Sequence, residues 1–510
     1  MTELQYRGAS EMRFIRRKSG VASSHVGAQA TLSMALLVMS LIAATCTSGS
    51  NGSQHRESSS PRSALAVVSE DPYSDPTTYH RTETEPDSFA FGSTIVSTFH
   101  VGKGRDCSAT NLGWSVSTDA GSTWTDGLLP GTTAHATPPG PWERATDPVV
   151  AYDAKHETWL VQGLGRLPSC KPGRTVFVSR STDGARTFGE PVVIKAPKGS
   201  QDFDKNWIAC DNTPASPFYG HCYAQWDDEG NHLALHMSTS IDGGLTWIDT
   251  EVPRDTHVFG GQPLIQPDGT VIMPILACCE AGLAAFVSTD GGRSFTGPGI
   301  NDARPGFGDL AQSQVLGGLT IGNEGQIISA DIDAAGKVYV VWHDCRFRDG
   351  PDQACGPNDI VMSTTTDGRH WSQAFRIPID ARTSTVDHFL PAIGVDPTTS
   401  GSSAHLGVVY YFYPEANCDI DTCELSVGFA SSTDGGVTWN SRRLAGPFRN
   451  TWLPATDDGY FVGDYVSVSF VDGKAIPVFT VASEGECELG RTSCQTWIAS
   501  GTISLAETSN

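Results

Sequence analysis

Acidic, basic and phenolic side chains stand at the edges of the apolar strands of this chain, and their types set the chemistry it can do. Carboxylates and imidazoles move protons, and a guanidinium fork meets a carboxylate through two parallel hydrogen bonds. Just before successive apolar runs come Asp147, Asp204, Lys205, Gln262, His388, Asp464 and Tyr465. At the far ends of the runs that follow come His100, Arg105, Arg166, Asp227, Arg346, Arg348 and Glu415. If these strand ends share one face, Asp147 and Asp204 are its candidate proton donors. Arg166, Arg346 and Arg348, with Lys205 and His388, are then its candidate substrate-binding groups.

The elements that must position them are strands. Alternating apolar residues bounded by turn residues recur along the chain, with no convincing amphipathic helix, so the body is all-β. One phrase recurs six times, at Asp119, Asp183, Asp242, Asp290, Asp367 and Asp434. Each Asp follows a Ser or Thr by two residues and precedes a Thr or Ser and an aromatic, as in Ser240, Asp242, Gly244, Thr246 and Trp247. The fifth copy, from Thr365 to Trp371, is one residue short. Successive Asp residues are 64, 59, 48, 77 and 67 positions apart, the length of a propeller blade. An Asp that folds back on nearby amide groups, a left-handed Gly and an aromatic beneath them make an anchored hairpin turn. These six aspartates are therefore read as structural.

The phrase resembles the Asp-box, or BNR repeat, of the sialidase superfamily, and the resemblance covers roughly residues 88–505. It implies a β-propeller of four-stranded antiparallel blades with the boxes between third and fourth strands, away from the active face. Unit starts fall near residues 88, 144, 203, 258, 312, 386 and 460. Seven blades are favoured, with the family's six as the alternative. The last unit shows three strands, and Ala64–Val68 is available as the fourth, pairing the two chain ends.

The resemblance also implies roles: three arginines holding a substrate carboxylate (Arg166, Arg346, Arg348), Tyr465 as nucleophile with Glu415 taking its proton, and Asp147 or Asp204 as acid. Arg376-Ile377-Pro378 spells the family's Arg-Ile-Pro signature, but it follows the fifth box on an outer strand and is read as coincidence. The leading expectation is an extracytoplasmic glycoside hydrolase of exo-α-sialidase type acting on a carbohydrate or glycoconjugate. Two alternatives stay open: a non-catalytic glycan- or protein-binding propeller, and a polysaccharide lyase using His388 and Tyr465. No cofactor or metal is expected, although Asp457-Asp458 could hold Ca²⁺.

Residues 1–46 read as a signal peptide. Five basic residues precede the apolar run 32–44, which is too short for a comfortable membrane span. Cys46 and the Ser/Gly-rich stretch 47–62 resemble a lipoprotein signal and tether, leaving 63–510 as the propeller and Cys46 as the one membrane attachment. The other twelve cysteines include pairs placed for local bridges: Cys345 with Cys355, Cys418 with Cys423, Cys487 with Cys494, and Cys210 with Cys222 across a hairpin. The chain carries −23 formal charges at pH 7, which argues against nucleic acid and anionic membranes as partners.

Overall fold

The computed structural model describes residues 65–505 except 107, 168–172, 254–257, 278–281, 301–326, 349–356, 416–417, 419–421, 458, 486 and 492–493. The signal, the tether, Cys46 and the unit start near 312 lie outside the described residues. Antiparallel strands and three short 3₁₀ turns make up the regular structure among the described residues.

Chain order and pairing follow one pattern, in which each strand pairs with the next to give four-strand meanders. First strands are Glu83–Phe91, Arg144–Asp153, Phe203–Cys210, Val258–Gly261, Ser329–Ile332, Asp387–Val395 and Ser467–Val471. The first two meanders share an eight-stranded sheet, joined through the single pair Ala109–Ala145. In the last meander the outer strand comes from the other end of the chain. Ala66–Val67 pairs antiparallel with Thr496–Ser500, Ala66 opposite Ser500, as the sequence suggests.

Buried polar side chains tie most neighbouring meanders together, and a close backbone approach joins the sixth to the seventh. Asp87 accepts the Val150 N–H (2.9 Å), and Asn206 donates to the Asp147 carbonyl (3.1 Å). Gln225 donates to the carbonyls of both Lys205 and Gly261 (2.7 Å each), Gln262 accepts from Ala330 (2.7 Å) and Asp331 accepts from Val395 (2.7 Å). A Cβ added at Gly394 would stand 2.4 Å from the Val468 carbonyl oxygen, so only Gly allows that approach. Ser88 donates to Ser467 (3.0 Å). Between the meanders lie apolar layers such as Val149, Leu160 and Val178 against Phe203, Ile208 and Trp226. Each fully buried large side chain there contributes about 1.5–3 kcal/mol.

The six aspartates sit where the phrase predicts, between third and fourth strands. At Asp242, Ser240 donates to Oδ1 (2.9 Å), the Thr246 amide donates to Oδ1 (2.9 Å) and the Thr246 hydroxyl donates to Oδ2 (2.6 Å). Asp119, Asp183, Asp290 and Asp434 repeat this set. In the short fifth copy His370 supplies both contacts to Asp367, through its amide (2.7 Å) and Nδ1 (2.6 Å). Among the described residues three disulfides have both cysteines, Cys210–Cys222, Cys418–Cys423 and Cys487–Cys494. Cys345 is also disulfide-bonded, and its expected partner Cys355 lies outside the described residues, as do Cys107, Cys170, Cys278 and Cys279.

Candidate functional site

Five of the first strands carry the same irregularity. Pairing slips by one or more residues between Thr84 and Asp87, Thr146 and Val149, Asp204 and Trp207, Phe259 and Gly261, and Phe389 and Ala392. Within each slip one residue has a left-handed backbone: Glu85 (φ 58°), Asp147 (54°), Lys205 (49°), Gly260 (58°) and Leu390 (49°). Bulges of this kind re-aim a side chain, and non-Gly residues held at positive φ collect at functional sites. The local sequence shows why the ladder breaks. Proline follows Glu85, Asp147 and Leu390, and a proline has no N–H to give the neighbouring strand.

In three adjacent meanders the re-aimed side chains converge. Lys205 Nζ is 2.7 Å from Asp464 and 3.7 Å from Asp204, and Arg174 is 2.9 Å from Asp204. Glu85 Oε2 stands 2.9 Å from His100 Nε2, and the Thr146 hydroxyl donates to Asp147 Oδ1 at 2.6 Å. Burial first, and the neighbouring Asp204 second, push the Asp147 carboxyl up to about 7. Burial and then Asp464 push Glu85 up to about 8. Asp204 is equally buried, but Arg174 and Lys205 outweigh that cost and hold its carboxyl below the usual range. Lys205 is likewise held charged against burial by Asp204 and then Asp464. Adjacent carboxyl groups are thus pushed in opposite directions, as an acid and its charged partner require. Nε2 of His100 already accepts the Asp147 amide N–H (3.2 Å), so this cluster offers a metal no free ring nitrogen there.

Beside the cluster is a cavity of about 310 Å³ lined by Thr77, Arg105, Asp106, Glu143, Arg144, Arg166, Leu167 and Asp457. Arg144 and Arg166 face each other as paired residues on adjacent strands. Arg144 is steadied by His135 (2.7 Å) and Asp75 (3.4 Å), and Arg105 by Asp457 (3.3 Å). Arg144 lies three residues before Asp147 on one strand, about 10 Å at the strand rise of roughly 3.3 Å per residue. A sugar ring with its acidic substituent spans such a gap.

The sequence-predicted residues separate into two groups. Asp147, Asp204, Lys205 and Tyr465 come together, and Arg166 lines the adjoining cavity. The other two arginines are elsewhere, so the expected clamp of Arg166, Arg346 and Arg348 is not assembled. Arg346 pairs with Asp344 (2.7 Å). Arg348, its side chain 3 % exposed, is taken up by Asp359 (2.8 Å), Asp380 (3.3 Å), four backbone carbonyls and His388 Nδ1 (3.2 Å). A guanidinium so engaged cannot turn to a ligand without stranding two carboxylates. His388 is buried in the same network, where burial lowers its pKa to about 4, and no contact brings it to Tyr465. Arg376 also belongs there, 2.8 Å from Asp359, so the Arg-Ile-Pro tripeptide is structural. Arg348→Met therefore destabilises the protein by about 3–5 kcal/mol in urea unfolding, through unpaired buried charge, while activity per folded molecule is unchanged.

Tyr465 does not meet Glu415. Its buried hydroxyl donates to the Pro148 carbonyl (2.9 Å), its ring packs edge-on against Trp207 (5.4 Å), and Glu415 lies exposed on the bend after Tyr413. Burial, then the charges of Glu85 and Asp147, push the phenol well above its ordinary value. In this arrangement Tyr465 braces the Asp147-Pro148 bulge and has no base to activate it. Glu85, Arg144 and Arg174 escape the strand-edge reasoning. The repeated pattern of an acidic residue before proline, Glu85-Pro86 beside Asp147-Pro148, is the signal that points to Glu85.

No family model matches the sequence, and no curated protein does. Among solved structures the chain is similar to the Hadza microbial sialidase Hz136, at 17% identity over 72% of this chain and 66% of that one, with a TM-score of 0.43. It is also similar to a Trypanosoma rangeli sialidase in complex with the inhibitor DANA, at 12% identity over 87% and 60%, TM-score 0.43. A third similar structure is a PL25 ulvan lyase, at 10% identity over 86% and 96%, TM-score 0.44. The chain spans less than two thirds of the length of either sialidase. At these values the likeness is distant, and the functional reading rests on the site's own residues.

Proposed function

We propose that this protein is a seven-bladed β-propeller that hydrolyses glycosidic bonds next to an acidic sugar. Asp147 is the general acid, Asp204 the charged carboxylate opposite it, and the cavity of Arg105, Arg144 and Arg166 receives the substrate's carboxylate or sulfate. Buried bonds between neighbouring meanders, the close approach of Gly394 to Val468 and the Ala66–Val67 strand that completes the last meander support the ring. The disulfides fit an oxidising, extracytoplasmic compartment.

The observation that carries the reading is buried Asp147 next to an Asp204 that is paired with Arg174 and Lys205, with an arginine-lined cavity at the end of the same strand. Glycoside hydrolysis needs one carboxyl to protonate the leaving oxygen and another to stay ionised. Asp147, neutral below about pH 7, suits the first task, and Asp204, held charged by Arg174 and Lys205, suits the second. Arginine forks at the cavity orient the anionic ring over the pair.

The test is a screen of the purified protein against sialosides, uronic-acid and sulfated polysaccharides, and neutral glycans. Turnover is expected of acidic members only. Arg144→Ala raises KM by about 10–100-fold, the effect of losing a charged hydrogen bond of about 1.5–3 kcal/mol. Turnover confined to neutral glycans, or an unchanged KM in the variant, contradicts the assignment.

A further inference from the structure

One buried group in the cluster has no part in the chemistry so far. His100 is fully enclosed, and three contacts meet at its Nε2: the Asp147 amide nitrogen (3.2 Å), Glu85 Oε2 (2.9 Å) and Thr146 Oγ1 (3.1 Å). We propose that His100 is a positioning residue on a proton path between two carboxyl groups, in which Glu85 rests as a neutral acid against Nε2 of a neutral His100 and resupplies Asp147 through Thr146.

The geometry leads there step by step. A backbone N–H can only donate, and that of Asp147 is aimed at Nε2, so Nε2 presents its lone pair and the ring proton sits on Nδ1, 3.4 Å from Thr84 Oγ1. An ionised Glu85 would then set a second lone pair against Nε2 at 2.9 Å with no water to separate them. A proton on Oε2 removes that repulsion. Glu85 Oε1 is meanwhile occupied by the Asp464 amide (3.0 Å), which leaves Oε2 to carry the proton. Thr146, in reach of Nε2, gives its own hydroxyl proton to Asp147 Oδ1 (2.6 Å) and completes the line.

The charges that face the pair come from several meanders. Around His100 stand Lys103, Asp147, Asp464 and Lys205, and around Glu85 stand Asp464, Lys205 and Lys103. Lys205 is neutralised by Asp464 and Asp204. Lys103 is bonded instead to the carbonyls of Asp106 and Ser108, so its charge opposes an imidazolium. Burial acts in the same direction on both partners, raising Glu85 to about 8 and lowering His100 to about 3.

The proton step balances without any oxidant or reductant. Once Asp147 has protonated the leaving oxygen, the Glu85 O–H breaks as an Nε2–H forms. That proton then passes to Thr146 as the Thr146 hydroxyl proton moves to Asp147 Oδ1. The proton of the attacking water goes to Asp204 and on to solvent, and one proton from solvent restores Glu85 between turnovers, so no net proton is gained or lost. The role in turnover rests on Asp147 being the acid, whereas the resting position of the proton does not.

Two measurements separate these levels. Glu85→Gln keeps a donor facing Nε2 but removes the titratable proton. Infrared difference spectra between pH 6 and pH 9 are expected to show one buried carboxyl fewer ionising in the variant than in the wild type, and ¹⁵N NMR to show His100 protonated on Nδ1 only. An ionised Glu85 at pH 6, or a proton on Nε2, overturns the proposal. In kinetics, Glu85→Gln keeps the single-turnover rate and lowers the steady-state rate by roughly 10²-fold, and an unchanged steady-state rate overturns the path. If the wild type turns over no glycan while the spectra are as expected, the glycosidase reading fails and the proton position stands.

Discussion

Asp147→Asn lowers kcat on an acidic glycan by about 10²–10⁴-fold, the usual contribution of a positioned proton donor, and leaves the fold intact. The amide is close in shape to the neutral carboxyl that burial imposes at this position, and its oxygen still accepts the Thr146 hydroxyl. No charge is removed below about pH 7, so neither Lys205 nor Asp204 loses a partner it depends on. The loss should lie in kcat, because binding is assigned to the arginine cavity. A variant that keeps near-wild-type kcat with a raised KM would move Asp147 from the acid's role to a binding one.

The second large effect is on stability as a function of pH. Asp87, Asp147 and Asp331 are pushed up to about 7 and Glu85 to about 8, burial being the chief cause in each. Such groups bind protons more tightly folded than unfolded, so the stability tied to their neutral form is fully present below the unfolded value near 4. It is lost as pH rises through the folded values. Buried His100, His343 and His388 act in the opposite sense, since their folded values of about 3, 4 and 4 make the unfolded chain bind more protons up to about pH 6.5. Above that the histidines no longer contribute, and the carboxyls alone set the slope. The unfolding free energy therefore falls between pH 6.5 and 8, by about 1.4 kcal/mol for each proton lost per pH unit. Urea unfolding at fixed ionic strength reads this directly, and a flat or rising curve over that window would show that these carboxyls are not held neutral.

Much of the fold was legible because the turns repeat. The Ser-x-Asp phrase marks the third-to-fourth-strand hairpins without reference to distant residues, since every bond of Asp242 is made within four positions. Even the pairing of the two chain ends followed from counting three strands where four were needed. The site was only half legible. Asp147, Asp204 and Lys205 announce themselves as charged residues before apolar runs. Arg166 and Arg348, however, look alike as polar residues at the ends of second strands, and only residues more than ten positions away in sequence place Arg348 against Asp359 and Asp380 and Arg166 at the cavity with Arg144. The resemblance implies Glu415 as the base for Tyr465, and a direction of side-chain hydrogen bonding, toward the Pro148 carbonyl, decides otherwise. Glu85 escaped because the bulge that re-aims it is a defect in alternation, and alternation was the signal being read.

The most direct test of the acid pair beside the arginine cavity is kcat/KM on an acidic oligosaccharide and on the same compound with its carboxylates methyl-esterified. A preference of roughly 10²-fold for the free acid, consistent with losing one or more charged hydrogen bonds of about 1.5–3 kcal/mol, and abolished in Arg144→Ala, is the predicted result. Equal turnover of the two compounds by the wild type would contradict it.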